Sequence, residues 1–279
     1  RTAKGVAGYD LTRLIVGSEG TLAVITQATL KLLPLPKSVK TMAVLFPSIE
    51  QAAKTVCAII KEESVLPRCV EFLDRSSIEC VREKFGFDVP YNIDAILIVE
   101  VDGSVEVTRE DSKKIKEFCI AQGAAHVVIA ADSEEAAKLW GARKALSSAL
   151  FKIAPNKINE DIVVPLSLIP DMVRRVENMQ KRTGLKIVSF GHAGDGNIHC
   201  NIMYDKKDAD QVKLAESAMD ELFAHTLELG GTITGEHGVG ITKINYLPKE
   251  VNAGEIELMR GIKKVFDPGN ILNPGKIFL

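Results

Sequence analysis

The stretch LKIVSFGHAGDGNIHCNIMY, residues 185–204, reads as one tight hairpin. Two apolar-rich runs flank Asp195 and Gly196, and an Asp-Gly pair between such runs is a strong signal for a two-residue turn. The reading predicts strands over 185–190 and 197–204. With Asp195 and Gly196 as the turn, Gly194 pairs with Asn197, Ala193 with Ile198, and His192 with His199. Directly opposed residues share a sheet face with Cβ atoms about 4.5–5.5 Å apart, so both imidazoles can grip one cation. Asn201 then lies on the same face, two residues beyond His199. The plain alternative is a glycine-rich hairpin whose histidines are surface residues.

On either side of the hairpin the apolar pattern switches between strand and helix. Upstream it predicts a strand over 41–46 and then a helix that Ser48 caps, with Gln51 completing a capping box. A strand near 68–73, a helix near 76–84, a strand over 95–101, a helix near 107–121 and a strand over 125–130 follow. A long helix over 133–151 leads to a second round: strand 158–164, helix 168–182, the hairpin, and a helix over 208–229 that Gly230 and Gly231 end. This order is a ferredoxin-like pattern with an added short helix, given twice. The expected fold is α+β, an antiparallel or mixed sheet covered by helices, over about 37–255. Before it, GTLAVITQATLKLLP (20–34) alternates like a long strand stopped by Pro34 and Pro36. After a helix over 255–266, the segment DPGNILNPGKIF is punctuated by Pro and Gly with no regular period.

Across 279 residues, 35 Lys and Arg stand against 37 Asp and Glu, a net charge of 35 − 37 = −2. That balance argues against nucleic-acid binding through bulk positive charge. Apolar residues at 46% and charged residues at 26% exclude disorder, collagen and coiled coil as the dominant state. No apolar run approaches the roughly 18 residues that a spanning helix needs. The five cysteines are odd in number and contain no Cys-x-x-Cys, which suggests neither a disulfide framework nor a thiolate zinc site and favours a cytoplasmic location. The chain begins at Arg1 and reads as a cut into a longer protein.

A second cluster, GGTITGEHGVG (230–240), sets Glu236 and His237 in a glycine-rich loop. Glycine lets backbone and ligands approach closely, and the acid beside the imidazole can supply a metal oxygen and a proton acceptor. Two histidines and one carboxylate form a common catalytic metal set. An ordinary exposed Glu-His pair is the alternative.

GYDLTRLIVGSEGTLAVIT (8–26), GHAGDGNIHCN (191–201), TGEHGVG (234–240) and FDPGNILNPGKIF (266–278) together resemble the C-terminal half of the FAD-linked oxidase family, which contains D-lactate dehydrogenase, D-2-hydroxyglutarate dehydrogenase and the flavin subunit of glycolate oxidase. The resemblance runs over essentially the whole chain. It implies a divalent metal, usually zinc, on His192, His199 and Glu236, and His237 as general base near the flavin. It implies FAD contacts at Gly17, Ser18, Glu19, Gly20 and Asn273. LWGARKALSSALFKIAPNKINEDIVVP (139–165) resembles the stretch that holds the substrate carboxylate, which suggests Arg143, Ser147 and Lys157. Asn201 joins them as a substrate-binding candidate. Residues 1–36 and 256–279 would then belong with the flavin domain, and 37–255 would form the substrate domain carrying the metal.

Arg143 offers a planar fork for a carboxylate, and Ser147 one turn later faces the same way; a solvated helix face is the alternative. The implied reaction is oxidation of a D-2-hydroxy acid to the 2-oxo acid. No glycine-rich phosphate cradle precedes Gly17, so FAD would need a missing N-terminal half. The resemblance also implies an iron–sulfur subunit or electron-transferring flavoprotein as partner, with a peripheral inner-membrane position through such partners. Two other classes stand beside it: a non-catalytic, partner-binding subunit of a glycolate-oxidase-like complex, and a flavin-independent metal hydrolase or oxygenase.

Overall fold

The structure, a computed structural model, describes residues 4, 7–61 and 65–278. The chain forms two compact units, Pro34–Thr232 and the pair of outer segments Arg1–Leu33 and Ile233–Leu279. Residues 233–255, read from sequence with the central domain, cluster with the outer segments. In chain order the helices are α1 (Leu11–Ile15), α2 (Ile49–Lys61), α3 (Arg75–Val81), α4 (Val105–Ala121), α5 (Ser133–Ala149), α6 (Ile169–Thr183), α7 (Ala209–Glu228), α8 (Leu247–Glu250) and α9 (Ala253–Phe266). The strands are β1 (Ser38–Phe46), β2 (Cys69–Asp74), β3 (Ala95–Gly103), β4 (His126–Ile129), β5 (Asn156–Val163), β6 (Lys186–His192) and β7 (Asn197–Tyr204). Among the described residues no helix is long and apolar enough to cross a membrane.

All seven strands lie in the larger unit as one sheet, ordered β4-β1-β3-β2-β6-β7-β5, with antiparallel pairing throughout. The order β4-β1-β3-β2 is the ferredoxin-like arrangement, with α2 crossing from β1 to β2 and α4 from β3 to β4. The second half repeats it as β6-β7-β5, and the bridge Val163↔Thr232 stands where a fourth strand would begin. The halves join edge to edge through Glu71↔His192, Phe72↔Gly191 and Leu73↔Phe190. The expected α+β fold and its doubled pattern are therefore what forms. Local signals set the element ends: Ser104 accepts from Val107 N and starts α4, Asp132 accepts from Glu134 N and Glu135 N at the head of α5, and Gly184 at φ 71° closes α6.

The long strand expected over 20–34 is absent; no described residue there is in a strand, and Val24, Ile25, Leu30, Leu32 and Leu33 are exposed. Alternation creates a candidate strand, but a strand persists only where a neighbour satisfies its N–H and C=O groups, and none of the seven strands pairs with it.

One face of the sheet carries α3 and α5 over a core in which Ala43, Leu45, Leu73, Ile96 and Ile98 meet Ile78, Leu139, Ala142 and Leu146. At roughly 25 cal/mol per Å², such burial is the main stabilising contribution. Outward from the seam pair Phe72↔Gly191, the row Glu71, Ile98, Ala43 of the first half corresponds to Phe190, His199, Asp161 of the second. The same scaffold position that packs the core in one half thus presents an imidazole and a carboxylate in the other.

In the smaller unit Val239, Leu247 and Ile256 form a small core beside α9. Asn252 caps α9 in a reciprocal capping box with Glu255.

Candidate functional site

The β6–β7 hairpin turns over four residues rather than two. His192 pairs with Asn197 and Phe190 with His199, which corrects the expected direct opposition of His192 and His199 by two residues. The neighbours supply the reason: Gly194 N donates to Val70 O at 3.1 Å and Val164 N to Gly196 O at 3.1 Å, so residues 193–196 are drawn into contacts with flanking segments. A Cβ on Gly196, whose φ is 77°, would lie 2.2 Å from Val164 O. Side chains alternate with a period of two, so a two-residue shift keeps both imidazoles on one face. Their ring centroids are 5.3 Å apart with planes at 83°, and their nearest ligand nitrogens lie within 4.8 Å of each other.

Glu71 on β2 stands directly opposite His192 across the β2–β6 ladder and is buried, at 5% exposure. One carboxylate oxygen takes the His192 Nδ1 contact, and the other accepts from Arg143 Nε at 2.7 Å. Burial pushes the Glu71 carboxyl up, but the His192 hydrogen bond and the Arg143 charge outweigh it and hold the group below the usual carboxylate range. Arg143, on α5, also lies 4.7 Å from the centroid of the Phe190 ring and is only 14% exposed, so it does not sit on a solvated helix face.

One turn further along α5, Ser147 accepts from Lys157 Nζ at 2.7 Å, so these two expected carboxylate contacts are neighbours. Burial lowers the Lys157 pKa. The β5–β7 ladder sets the register that the sequence left loose: Lys157 faces Met203, Asn159 faces Asn201 and Asp161 faces His199. Asn201 donates from Nδ2 to Val188 O and His199 O, both at 3.2 Å, while its buried Oδ1 has no hydrogen-bond partner. Such an acceptor is free to receive a ligand donor.

Sequence reasoning missed Glu71 and Asp161. Both carry a readable signal, an acidic residue inside a buried strand, CVEFLD and NKINEDIV respectively. No thiolate joins the site: burial pushes the Cys119 and Cys200 thiols up to about 12 and Cys69 up to about 11.

Glu236 and His237 belong to the smaller unit, where both side chains are exposed and His237 Nε2 lies 3.8 Å from Glu236 Oε1. Their loop is tied down by Glu19, whose carboxylate accepts from Val239 N at 2.8 Å and Gly240 N at 2.7 Å. Gly238 adopts φ 80°, a conformation that favours glycine, and a Cβ there would also meet the Glu19 carboxylate at 2.6 Å. Asn273 Nδ2 donates to Glu19 O at 2.5 Å. Gly17, Glu19 and Gly20 take left-handed backbone conformations, at φ 84°, 53° and 72°. Three separated motifs, GSEGTL, TGEHGVG and NPGK, are thereby knitted together within this unit.

A family model described as FAD linked oxidases, C-terminal domain, matches residues 35–277. The chain is 42% identical over 278 residues to glycolate oxidase subunit GlcD of Bacillus subtilis, covering 100% of this chain and 59% of that protein. It is 34% identical over 280 residues to D-lactate dehydrogenase of Archaeoglobus fulgidus, covering 99% and 60% respectively. Of solved structures, p-cresol methylhydroxylase with substrate bound is similar at a TM-score of 0.67 and 15% identity, covering 88% of this chain and 53% of that one. Alkyldihydroxyacetonephosphate synthase is similar at 0.64 and 20%, covering 96% and 50%. At these identities the structural likeness is one of fold. The chain spans 59% and 60% of the length of the two curated relatives.

Proposed function

Because the chain belongs to the family of FAD linked oxidases, C-terminal domain, we propose that it is the substrate-handling part of a flavoprotein that oxidises a D-2-hydroxy acid, of the glycolate, lactate or 2-hydroxyglutarate class, to the 2-oxo acid. The observation that carries this reading is the convergence of His192, His199 and Arg143 on one sheet face around the buried carboxylate of Glu71.

The donor set fits a divalent cation: two imidazoles on one face, with ring nitrogens within 4.8 Å, are suited to zinc and its neighbours in the first transition row. We assign His192 and His199 as two ligands and Glu236 as the third. A divalent ion held there would act as a Lewis acid toward a chelated hydroxyl. FAD, held in part by the loop at Gly17, Ser18, Glu19 and Gly20 and by Asn273, would supply the hydride acceptor.

The chain's own residues then divide the remaining work. Arg143 turns its Nη groups to the substrate carboxylate, since Nε is engaged by Glu71. Lys157 and Ser147 add a second cationic and hydroxyl contact. Asn201, whose buried Oδ1 has no hydrogen-bond partner, joins these residues as a further substrate contact. A ring nitrogen of His237 takes the hydroxyl proton as the α-hydrogen leaves with its electron pair, so that one proton and one hydride are accounted for. Orientation in this way supplies much of the rate enhancement. The electron acceptor we propose is a protein, an iron–sulfur subunit or electron-transferring flavoprotein, in the cytoplasm or at the inner membrane surface.

The test is dye reduction by the complete flavoprotein with D- and L-2-hydroxy acids, with divalent metal added or chelated. D-selective, chelator-sensitive turnover is expected. Turnover of no 2-hydroxy acid by a metal- and FAD-loaded protein overturns the reading.

A further inference from the structure

We propose that Glu71 is a positioning residue that sets the ligating tautomer of His192 and the fork of Arg143 through the two oxygens of one buried carboxylate, so that metal binding and substrate-carboxylate binding are adjusted together. The inference rests on the proposed metal and substrate roles of those two residues.

A neutral imidazole carries one N–H and one lone pair. With Nδ1–H donated to Glu71, the lone pair is at Nε2, which is the nitrogen able to ligate a cation. Arg143 gives Nε to the other oxygen at 2.7 Å and rests 4.7 Å from the Phe190 centroid, which fixes the plane of the guanidinium and leaves its terminal nitrogens for a ligand. Three elements, β2, β6 and α5, meet in this one group.

A structural explanation alone is insufficient. A buried ion pair is weak evidence for stability, because desolvating the charges offsets much of their attraction. The corresponding position in the second half of the sheet is Phe190, so this scaffold accepts an apolar side chain there. Glu71 nevertheless occupies a site of 5% exposure, with both carboxylate oxygens committed to residues of the proposed chemistry. Glutamine at this position has one acceptor oxygen and an NH2 donor. It cannot accept from both partners in the same way; if its NH2 faces His192, the imidazole proton moves to Nε2 and the ligand is lost.

The experiment measures zinc and manganese affinity of the complete flavoprotein by chelator competition, for wild type, Glu71→Gln and His192→Ala, with thermal unfolding of the metal-free proteins alongside. For Glu71→Gln the expected result is a metal dissociation constant raised about 10- to 100-fold and a higher KM for the hydroxy acid, with the metal-free unfolding midpoint near that of wild type. Wild-type metal affinity in Glu71→Gln, together with loss of binding in His192→Ala, overturns the role of Glu71 and leaves the proposed function standing. Undiminished metal binding in His192→Ala overturns the metal reading itself. Should Glu71→Gln fail to fold, nitrogen-15 histidine spectra of the metal-free wild type decide: the His192 signal, identified by its loss in His192→Gln, is expected as the Nδ1–H tautomer, and an Nε2–H tautomer overturns the inference.

Discussion

Lys157 on β5 and Ser147 on α5 meet at 2.7 Å, bringing an ammonium group and a hydroxyl from segments ten residues apart to one spot, where burial lowers the lysine pKa. A hydrogen bond to a charged group is worth about 1.5–3 kcal/mol, roughly 10- to 150-fold in an equilibrium constant. Lys157→Met is therefore expected to raise KM for the hydroxy acid by about that factor with a smaller change in kcat, while Ser147→Ala raises it less. Steady-state kinetics of both variants check this, and unchanged KM in Lys157→Met removes the lysine from the carboxylate clamp.

His199→Ala is expected to lower metal occupancy, read by elemental analysis of the purified protein. His237→Ala should leave the metal near its wild-type content and depress turnover by roughly a hundred- to ten-thousand-fold, the usual contribution of a general base. Equal metal loss in both variants would reject the division of roles.

Gly196→Ala places a methyl group against Val164 O at 2.2 Å in a left-handed backbone conformation. A destabilisation of at least about 2 kcal/mol is expected, because the contact is with backbone and cannot relax by a rotamer change. Denaturant unfolding measures it, and metal occupancy should fall in parallel, since the turn sets the two imidazoles.

Asp74 caps α3 at Ser77 N and also accepts from Ser189 N, linking β2 to β6; burial raises its pKa to about 6 despite these bonds. The folded protein therefore holds a proton that the unfolded chain has released above the ordinary value of 3.8. Stability from this group is greatest below 3.8 and declines as pH rises toward 6. Asp74→Asn removes the titration, so its stability relative to wild type is expected to rise by about 2 kcal/mol between pH 4 and pH 7. A pH-independent difference by chemical unfolding would rule this out.

The Asp-Gly signal located the hairpin and the face shared by His192 and His199, because face depends only on odd or even spacing. Loop length was not legible: it depends on Val70 and Val164, which lie far from the turn in sequence or on another strand. Glu71 stands out as an acid within an apolar strand, but its partners were not legible, as nothing local says that β2 will lie against β6. The doubled helix-strand rhythm was plain, whereas the alternation over 20–34 misled, since pairing requires a neighbour that periodicity does not reveal.

The correspondence between Ala43 and Ile98 on one side and Asp161 and His199 on the other separates two evolutionary burdens. Substitution at Ala43 or Ile98 is answerable to packing and melting temperature. Substitution at Asp161 or His199 alters a polar pair and leaves the packing at Ala43 and Ile98 in place.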